Sequence, residues 1–459
     1  MSSTPDHLAQ PRQAPASFQD EIYLNGLLTG EAPPYGTRPA GLEEAARERM
    51  SPEAYGYVAG GAGSEATVRA NRAALDRRTI VPRMLRDVGT RDLSCTLFDT
   101  TLPAPVLLAP VGVLSIVHED AEPAVARAAA GLGLPMVLST ASSTTLEDVA
   151  EASGDGPRWF QLYWPKDRDV TVSLLERARA AGYTALVLTL DTWLLGWRPR
   201  DLDRAYLPFL QRVGIANYLS DPAFLAGLAK PVEDDPLAAV AHWAGMFADP
   251  TKTWEDLAFL RGHWDGPIVL KGVQHPDDAR RARDAGMDGV VVSNHGGRQI
   301  DGAIGSLEAL PAVAAAVGDD LTVLFDSGIR GGADVLKAIS LGARAVLVGR
   351  PYVYGLALGG EAGVRHALRC LLAEFDLSLA LSGHTGPGEL GPGTLSAGLP
   401  GARGPRSVRA ERVPQDLRDL RVADLGEVRV ELPDRVKGRR LLQAHRLVGL
   451  RAERGDGLR

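Results

Sequence analysis

The stretch "PIVLKGVQHPDDARRARDAGMDGVVVSNHGGRQID", residues 267–301, decides the fold of this chain. Two short apolar runs, "PIVLKG" and "GVVVSN", enclose an amphipathic segment, "HPDDARRARDAG", which ends at a glycine as helices often do. Strands that are apolar at successive positions are buried on both faces, which is typical of a parallel sheet. The stretch therefore predicts a strand, a helix and a second, parallel strand.

The same alternation continues through the middle of the chain. Eight apolar strands are predicted, at residues 106–112, 135–140, 158–164, 185–191, 267–272, 289–294, 322–328 and 345–350. Helical patterns such as "EPAVARAAAGLG" and "GGADVLKAISLG" separate them. Eight strand–helix units indicate an α/β fold, a closed (β/α)8 TIM barrel. An open doubly wound sheet is the alternative, but it would carry a G-x-G-x-x-G turn after its first strand, and "APVGVLSIV" has none.

Three other regions flank or interrupt the barrel, which is predicted to span residues 101–390. Residues 1–100 contain the helical pattern "GLEEAARERMSPEAYGYVAGGAG" and are predicted to form an N-terminal helical extension. Residues 192–252, after the fourth strand, form a connection long enough to be a lid or binding loop. Residues 391–459 are rich in arginine and punctuated by glycine and proline, so we expect a disordered tail.

Composition excludes several classes of protein. The formal net charge of −7 argues against nucleic acid as a partner, because no basic surplus exists to neutralise phosphates. The two cysteines, Cys95 and Cys370, lie far apart without a metal-ligand spacing, so we expect no metal and a reducing compartment. No stretch is apolar enough to span a membrane, and the polar start lacks a signal peptide. We therefore expect a soluble, cytoplasmic protein.

Polar and ionisable residues collect where the predicted strands end, which is where TIM barrels place their active sites. They include Ser139, Gln161, Tyr163, Thr189, Asp191, Lys271, His295, Arg298, Asp326, Arg330 and Arg350. The segments "DSGIRGGAD" and "VGRP" add glycines after strands seven and eight, a common place for a phosphate. Arg330 and Arg350 would donate charge-assisted hydrogen bonds to that phosphate. The alternative is that these glycines form turns and the arginines are surface charge.

The order of these motifs resembles the FMN-dependent α-hydroxy acid oxidase and dehydrogenase family. The matching stretches include "YVAGGAG", "LLAPVGV", "FQLYWPKDRD", "LTLDTWLLGWRPRDL", "VLKGVQHPDDARRA", "SNHGGRQID", "LFDSGIRGGADVLKA" and "VGRPYVYG". They run from about residue 18 to about residue 390. The long segment with "GWRPRDL" is most similar to the L-lactate 2-monooxygenases within the family. The resemblance implies FMN as cofactor and a homo-oligomer, a tetramer or higher.

The resemblance also implies roles for residues at the strand ends. His295 corresponds to the active-site base, and Asp191 to the aspartate that pairs with it. Tyr163 corresponds to a catalytic tyrosine that also lines the substrate. The substrate carboxylate would be bound by Tyr57, Tyr163, Arg198 and Arg298. Histidine has a pKa suited to accepting a proton near neutral pH, and arginine offers a two-pronged clamp for a carboxylate.

The FMN site follows from the same resemblance. Lys271 would lie beside the flavin ring and favour its reduced anion. The other cofactor-binding residues implied are Ala109, Pro110, Val111, Gly112, Ser139, Gln161, Thr189, Ser293, Asp326, Gly328, Arg330, Gly349 and Arg350. Glycine at position 112, where several oxidases carry alanine, is expected to leave more room beside the flavin.

The predicted reaction is FMN-dependent oxidation of an L-2-hydroxy acid by O2, with L-lactate as the first candidate substrate. A bound 2-keto acid would be attacked by peroxide and decarboxylated, as in lactate 2-monooxygenases. One alternative is an oxidase that releases the keto acid and H2O2, and another is a dehydrogenase with a different acceptor. A third is a flavin- or phosphate-binding barrel without catalysis. Ala141, where relatives have larger side chains, favours a substrate larger than lactate.

Overall fold

Eight parallel strands form a closed barrel in the computed structural model, which describes residues 14–247, 249–318 and 320–397. The barrel strands are Val106–Leu108, Met136–Ser139, Arg158–Leu162, Leu186–Thr189, Ile268–Lys271, Gly289–Val292, Thr322–Phe325 and Ala345–Val348. Each strand pairs with the next in the chain, and the eighth pairs with the first. The predicted (β/α)8 TIM barrel is confirmed.

A helix follows every strand and covers the outside of the barrel. In chain order these helices are Ala121–Leu132, Leu146–Ser153, Arg168–Ala180, Leu257–Arg261, Pro276–Asp284, Ser306–Val317, Gly332–Ser340 and Arg350–Ser382. Their buried faces are largely alanine, valine and leucine, as an amphipathic helix on a parallel sheet requires.

Most strands are shorter than the apolar runs that predicted them. The first run extends to residue 112, but the strand ends at Leu108. Pro110 lacks an N–H group and cannot continue the hydrogen-bonded ladder, and Val113 has a left-handed φ of 55°. The residues after each strand therefore curve over the mouth of the barrel, where they are free to form a site.

A short hairpin closes the opposite end of the barrel interior. Its strands, Cys95–Leu97 and Thr100–Leu102, pair antiparallel, and Leu97 and Leu102 pack with inward-facing residues such as Leu107 and Val187. The hairpin crosses the predicted boundary of the N-terminal extension at residue 100, where the sequence analysis identified only helices. The barrel interior is thus a packed core, and the cleft described below lies at the carboxyl ends of the strands.

The described part of the N-terminal extension, from residue 14 onward, contains four helices, Ser17–Thr29, Pro39–Arg49, Pro52–Ala59 and Ala66–Asp76. The last of these is attached to the loop after the sixth strand. Asp301 accepts hydrogen bonds from the backbone N–H groups of Ser64 (2.6 Å) and Ala66 (2.7 Å). Asn71 and Asn294 exchange a reciprocal pair of amide hydrogen bonds of 2.8 and 2.7 Å. The extension therefore supports the loop that carries the predicted base.

The predicted lid at residues 192–252 is a folded layer; Ala248 within it lies outside the described residues. It contains the helices Pro199–Leu202, Ala216–Leu219, Pro222–Ala226 and Pro236–Met246. Asn217 fastens it to the barrel by accepting from the N–H of Leu146 (2.8 Å) and donating to the carbonyl of Thr140 (3.1 Å). Tyr218, Phe224 and Trp243 belong to this layer and are themselves buried, so the layer has an apolar core of its own.

The boundary predicted for the disordered tail, residue 391, is wrong by several residues. Leu395–Ala397 forms a strand that pairs antiparallel with Arg78–Ile80, so the chain is ordered beyond residue 391. A strand of only three residues is too short to be recognised from the pattern of its sequence. The rest of the predicted tail, residues 398–459, lies outside the described residues.

Within the described part of the chain, no helix combines the length and the apolar character that crossing a bilayer demands. The cytoplasmic location and the homo-oligomer stay predictions.

Removing the last described strand should lower the stability of the barrel. A chain that ends at residue 390 loses the pairing of Leu395–Ala397 with Arg78–Ile80 and the bond from Val81 N–H to the Thr394 carbonyl. Each hydrogen bond contributes about 1 kcal/mol, so thermal unfolding should shift down by a few degrees. The control is a chain that ends at residue 397. Equal melting temperatures for the two chains would contradict a stabilising role for the strand.

Candidate active site

A cleft lies at the carboxyl ends of the strands, and its open space, including solvent at its mouth, is about 1100 Å³. Sixteen of the predicted site residues line the cleft: Tyr57, Ala109, Pro110, Val111, Gly112, Ser139, Tyr163, Arg198, Lys271, His295, Arg298, Asp326, Gly328, Arg330, Gly349 and Arg350. Gln161, Asp191 and Ser293 lie behind this lining and bind residues within it. Thr189 lies behind it too and accepts a hydrogen bond from Gln161.

His295 and Asp191 form a hydrogen-bonded pair. The distance from His295 Nδ1 to Asp191 Oδ1 is 2.6 Å, and the two side chains are only 17% and 13% exposed. Because a carboxylate is an acceptor, Nδ1 carries the proton and Nε2 is left with its lone pair. Thr192 donates its hydroxyl to the same Asp191 oxygen at 2.9 Å and lies 3.2 Å from Nδ1. This arrangement fixes the tautomer that a general base needs.

Burial and neighbouring charges set the protonation of this pair. For Asp191, burial alone would raise the pKa, but the charges of His295 and Lys271 outweigh it and lower the pKa to about 2. The pKa of His295 is lowered by burial and, to a smaller extent, by Lys271, while Asp191 opposes the shift. The imidazole is therefore neutral at pH 7 beside an ionised carboxylate, which is the state that accepts a proton.

Two arginines converge on one side of the cleft. The guanidinium of Arg298 donates to the carbonyls of Tyr57 and Gly60, the latter at 3.0 Å, and lies 4.9 Å from the centre of the Tyr57 ring. Arg198, which is 7% exposed, donates from Nε to the Arg298 carbonyl at 3.1 Å. Burial, followed by repulsion from Arg198, lowers the pKa of Arg298 to about 9. Such a cluster requires an anion, and a carboxylate has the matching geometry.

A row of polar side chains crosses the second to fifth strands beneath the cleft. Ser139 donates to Gln161 Oε1 at 2.9 Å, and Gln161 donates to Thr189 at 2.9 Å. Lys271, paired with Thr189 in register, is 4% exposed and lies 3.3 Å from Asp326. Burial would lower the pKa of Lys271, but Asp326 and Asp191 raise it, so the ammonium stays charged. The row presents a fixed cation and hydrogen-bonding groups to a polar ring.

Arg330 supplies the observation that tests whether the chain can hold FMN. In the described part of the chain its side chain makes one hydrogen bond, to the Ile329 carbonyl at 3.1 Å, and no salt bridge. Burial, followed by the charge of Arg350, lowers its pKa to about 10. A mostly buried guanidinium without a carboxylate partner at a glycine-rich strand end is suited to a phosphate. The residues therefore fit FMN: Arg330 would hold its phosphate, and the row with Lys271 would supply a cation and hydrogen-bonding groups to its ring.

Arg350, the second predicted phosphate ligand, is more heavily engaged. It donates to the backbone carbonyls of Val58 (3.0 Å), Gly296 (3.0 Å) and Gly60 (2.9 Å). These bonds join the N-terminal extension to the loop of His295. Two of its five N–H groups remain for a phosphate.

An apolar wall forms another part of the cleft lining. It consists of Ala141, Tyr163, Leu195, Phe209 and Phe247, and three of these belong to the lid. The rings of Tyr163 and Phe247 lie 5.2 Å apart, and those of Phe209 and Phe247 lie 6.2 Å apart. Because Ala141 is small, the space beside these rings stays open.

Gly112 lines the cleft at a point where two loops pack closely together. A Cβ atom at this position would lie 2.4 Å from the carbonyl oxygen of Ala141, a contact that side chains do not tolerate. The glycine therefore permits close packing of the loops after the first two strands. The expected effect of this glycine on the room beside the flavin stays a prediction.

Gln299, Thr192 and Glu122 are among the residues in and around the site that were missed in the sequence. Gln299 donates to the carbonyls of Asp191 (2.7 Å) and Leu194 (2.9 Å) and accepts from Arg198 at 2.6 Å, so it joins the start of the lid to the loop of His295. Thr192 directly follows Asp191, and its position after a strand end was the only available signal. The fully buried Glu122 binds the N–H groups of Leu114 (3.2 Å) and Ser143 (2.9 Å). A glutamate on an alanine-rich helix gave no hint of that contact.

The His295–Asp191 pair makes a prediction that can be checked without any reaction. The pKa of the His295 imidazole should lie below 6.5, and Asp191→Asn should lower it further, because the carboxylate is the group that raises it. NMR titration of protein labelled at its histidines would measure both values, with His295→Gln assigning the signal. A pKa above 6.5 in the unaltered protein, or a rise in Asp191→Asn, would contradict this electrostatic arrangement.

Comparison with known proteins agrees with the cofactor site. The sequence profile of FMN-dependent dehydrogenases matches residues 46–397. The chain is 50% identical over 370 residues to an FMN-dependent α-hydroxy acid dehydrogenase of Penicillium citrinum, covering 80% of this chain and 92% of that protein. It is 44% identical to an L-lactate oxidase of Lysinibacillus sphaericus, covering 78% and 92%.

A solved structure of mandelate oxidase with (S)-4-hydroxymandelic acid is 42% identical, with a TM-score of 0.70, and covers 79% of this chain and 98% of that one. The matched region contains every residue of the cleft described above. Both the extent of the profile match and the identity to full-length relatives lead to one assignment: the chain belongs to the FMN-dependent dehydrogenase family.

Proposed function

We propose that the protein oxidises an L-2-hydroxy acid to the 2-keto acid and passes the electrons to O2. The observation that carries this proposal is the neutral imidazole of His295, held by Asp191 at 2.6 Å, in the same cleft as Arg198 and Arg298. A base and a carboxylate clamp together define a substrate with a carboxylate beside an ionisable O–H or C–H group. The relatives named above act on, or are named for, such acids.

The carboxylate of the substrate would bind to Arg298 and Arg198, with Tyr57 and Tyr163 beside it. Burial raises the pKa of Tyr163 to about 12, so its hydroxyl stays protonated and can donate a hydrogen bond. His295 Nε2 takes one proton from the hydroxylated carbon centre. Asp191 then stabilises the imidazolium that forms. FMN, when bound, would accept the two electrons together with the second hydrogen that leaves the substrate.

The apolar wall favours a substrate with a bulky or aromatic group at its second carbon over L-lactate. Lactate offers one methyl group to the wall, whereas an aryl group would contact Tyr163, Phe209 and Phe247. Aromatic side chains prefer offset or edge-to-face contact at the centroid distances found here. The structurally similar mandelate oxidase is bound to an aryl hydroxy acid, which supports this preference.

Filling the space at Ala141 should reverse the substrate preference. In Ala141→Leu, kcat/KM for L-mandelate should fall by about 10- to 100-fold, whereas kcat/KM for L-lactate should change little, because one hydrophobic pocket discriminates by about that factor. Anaerobic bleaching of the flavin measures both substrates on the same preparation. His295→Gln is the control and should lose bleaching with either acid by at least about 100-fold.

Equal losses for the two acids in Ala141→Leu would contradict the proposed wall. Unchanged bleaching in His295→Gln would contradict the base, and with it the reaction.

A second candidate outcome is oxidative decarboxylation, the lactate 2-monooxygenase type of reaction. The lid favours it, because Arg198 at its start binds Gln299 and its aromatic rings close one side of the cleft. A closed cleft would retain the keto acid until peroxide attacks it. If the cleft opens first, peroxide and keto acid leave separately and the enzyme is an oxidase.

The products in air distinguish these outcomes. Retention of the keto acid predicts about one CO2 and no free peroxide for each substrate molecule oxidised. Gln299→Leu should shift the products toward free peroxide, because it removes the bonds to Asp191, Leu194 and Arg198 that secure the lid. If the unaltered enzyme releases one peroxide for each substrate molecule oxidised, the enzyme is an oxidase and not a monooxygenase. Slow reoxidation by O2 in both proteins would instead indicate a dehydrogenase with another acceptor.

A further inference from the structure

Ser327, which follows the seventh strand, has a backbone conformation that serine rarely adopts. Its φ is 80°, in the left-handed region, and the residue is only 7% exposed. A non-glycine residue there is under steric strain that a glycine would avoid. Strain at a buried position in a binding cleft persists only where other interactions compensate for it.

The hydroxyl of Ser327 makes three hydrogen bonds that a glycine could not make. It accepts from the N–H groups of Asn294 (3.3 Å) and Gly296 (3.0 Å), which are the two neighbours of His295. It donates to Asp326 Oδ1 at 2.7 Å. One side chain thus holds the backbone on both sides of the proposed base.

The loop needs such support because its own conformation is unfavourable. His295, Gly296 and Gly297 have φ angles of 57°, 64° and 80°, three successive left-handed residues, and His295 is the one among them that carries a Cβ atom. The N–H of His295 binds Ser293 Oγ at 3.0 Å, and the N–H of Gly297 binds Asn294 Oδ1 at 3.0 Å. Four consecutive amides of the loop therefore bind side-chain oxygens, and two of the four bind Ser327.

Asp326 connects this support to the cation beneath the cleft. Its Oδ1 binds Ser327 at 2.7 Å, and its Oδ2 lies 3.3 Å from Lys271 Nζ. Lys271 in turn donates to Ser293 Oγ at 3.1 Å, the oxygen that accepts the N–H of His295. The loop and the lysine are thereby held in one hydrogen-bonded network.

We propose that Ser327 is a positioning residue for His295: its hydroxyl holds the loop so that the imidazole faces the substrate. This inference rests on the proposed role of His295 as the base. Arg298 is also anchored outside this loop, to the carbonyls of Tyr57 and Gly60 in the N-terminal extension. Loss of the Ser327 hydroxyl should therefore affect the chemical step and leave binding of the carboxylate intact.

Two variants distinguish the effect of losing the Ser327 hydroxyl from the effect of relieving the backbone strain at this residue. Ser327→Gly removes both, whereas Ser327→Ala removes only the hydroxyl and keeps the strain. In both, the rate constant of substrate-driven flavin reduction should fall by about 10- to 100-fold, because a small misplacement of a catalytic group has that effect, while KM changes less than about twofold. Ser327→Gly should melt at a higher temperature than Ser327→Ala.

Leu85 provides the matched control. It is a fully exposed residue outside the cleft lining with a left-handed φ of 57°. Leu85→Gly and Leu85→Ala should show the same order of melting temperatures as the Ser327 variants. Neither should change the rate of flavin reduction.

Hydrogen exchange gives a readout that does not depend on the reaction. Peptides that span residues 290–300 should exchange faster in both Ser327 variants than in the unaltered protein. If the variants keep this fast exchange but no hydroxy acid bleaches the flavin of the unaltered protein, the proposed function fails and the support of the loop stands.

Three results would overturn the positioning role itself. One is flavin reduction at the original rate in either variant. Another is retained activity in Ser327→Gly with loss only in Ser327→Ala, which would assign the effect to the backbone. The third is unchanged exchange of the loop.

Discussion

The hydrogen bond between His295 Nδ1 and Asp191 Oδ1 is the interaction on which the cleft depends. The two residues follow the sixth and fourth strands, and the fifth strand between them places Lys271 3.9 Å from the same carboxylate. A charge-assisted bond of this kind contributes about 1.5–3 kcal/mol, but removing one partner leaves a buried polar group unpaired. Barrel closure brings the partners together, because it fixes the spacing of the three strand ends. The tautomer of the base is thus a consequence of the fold.

The surplus of positive charge in the cleft favours the binding of anions. Arg198, Arg298, Arg330 and Lys271 all line it, and among the described residues only Lys271 of these four has close carboxylate partners, Asp326 and Asp191. Holding such cations in a largely buried place costs several kcal/mol each unless an anion compensates. A substrate carboxylate and a phosphate would each recover part of that free energy on binding. The groups are fixed before an anion arrives, so little reorganisation opposes binding.

The features that were predicted correctly are those that depend on residues close together in the sequence. Apolar runs such as "PIVL" and "GVVV" predicted the barrel, and the spacing of His295 and Arg298 after a strand indicated their place at its mouth. The hairpin of Cys95–Leu97 with Thr100–Leu102 and the strand Leu395–Ala397 were missed. A strand of three residues is too short to show a periodic pattern of apolar residues. Gln299 and Ser327 act through partners about 105 and 31 residues away. Such contacts arise only once the strand ends meet, so no sequence window contains them.

Small residues allow three segments around the cleft to pack closely against one another. Gly112 packs against the carbonyl of Ala141, and a Cβ atom at Gly214 of the lid would lie 3.0 Å from the same oxygen and 2.8 Å from the Phe209 ring. The loop after the first strand, the loop after the second and the lid therefore meet at one carbonyl. An added methyl group at Gly112 would have to displace Ala141, and through it the position of Phe209, because packed interiors transmit such shifts. The size of residue 112 thus affects the shape of the apolar wall through its contact with Ala141.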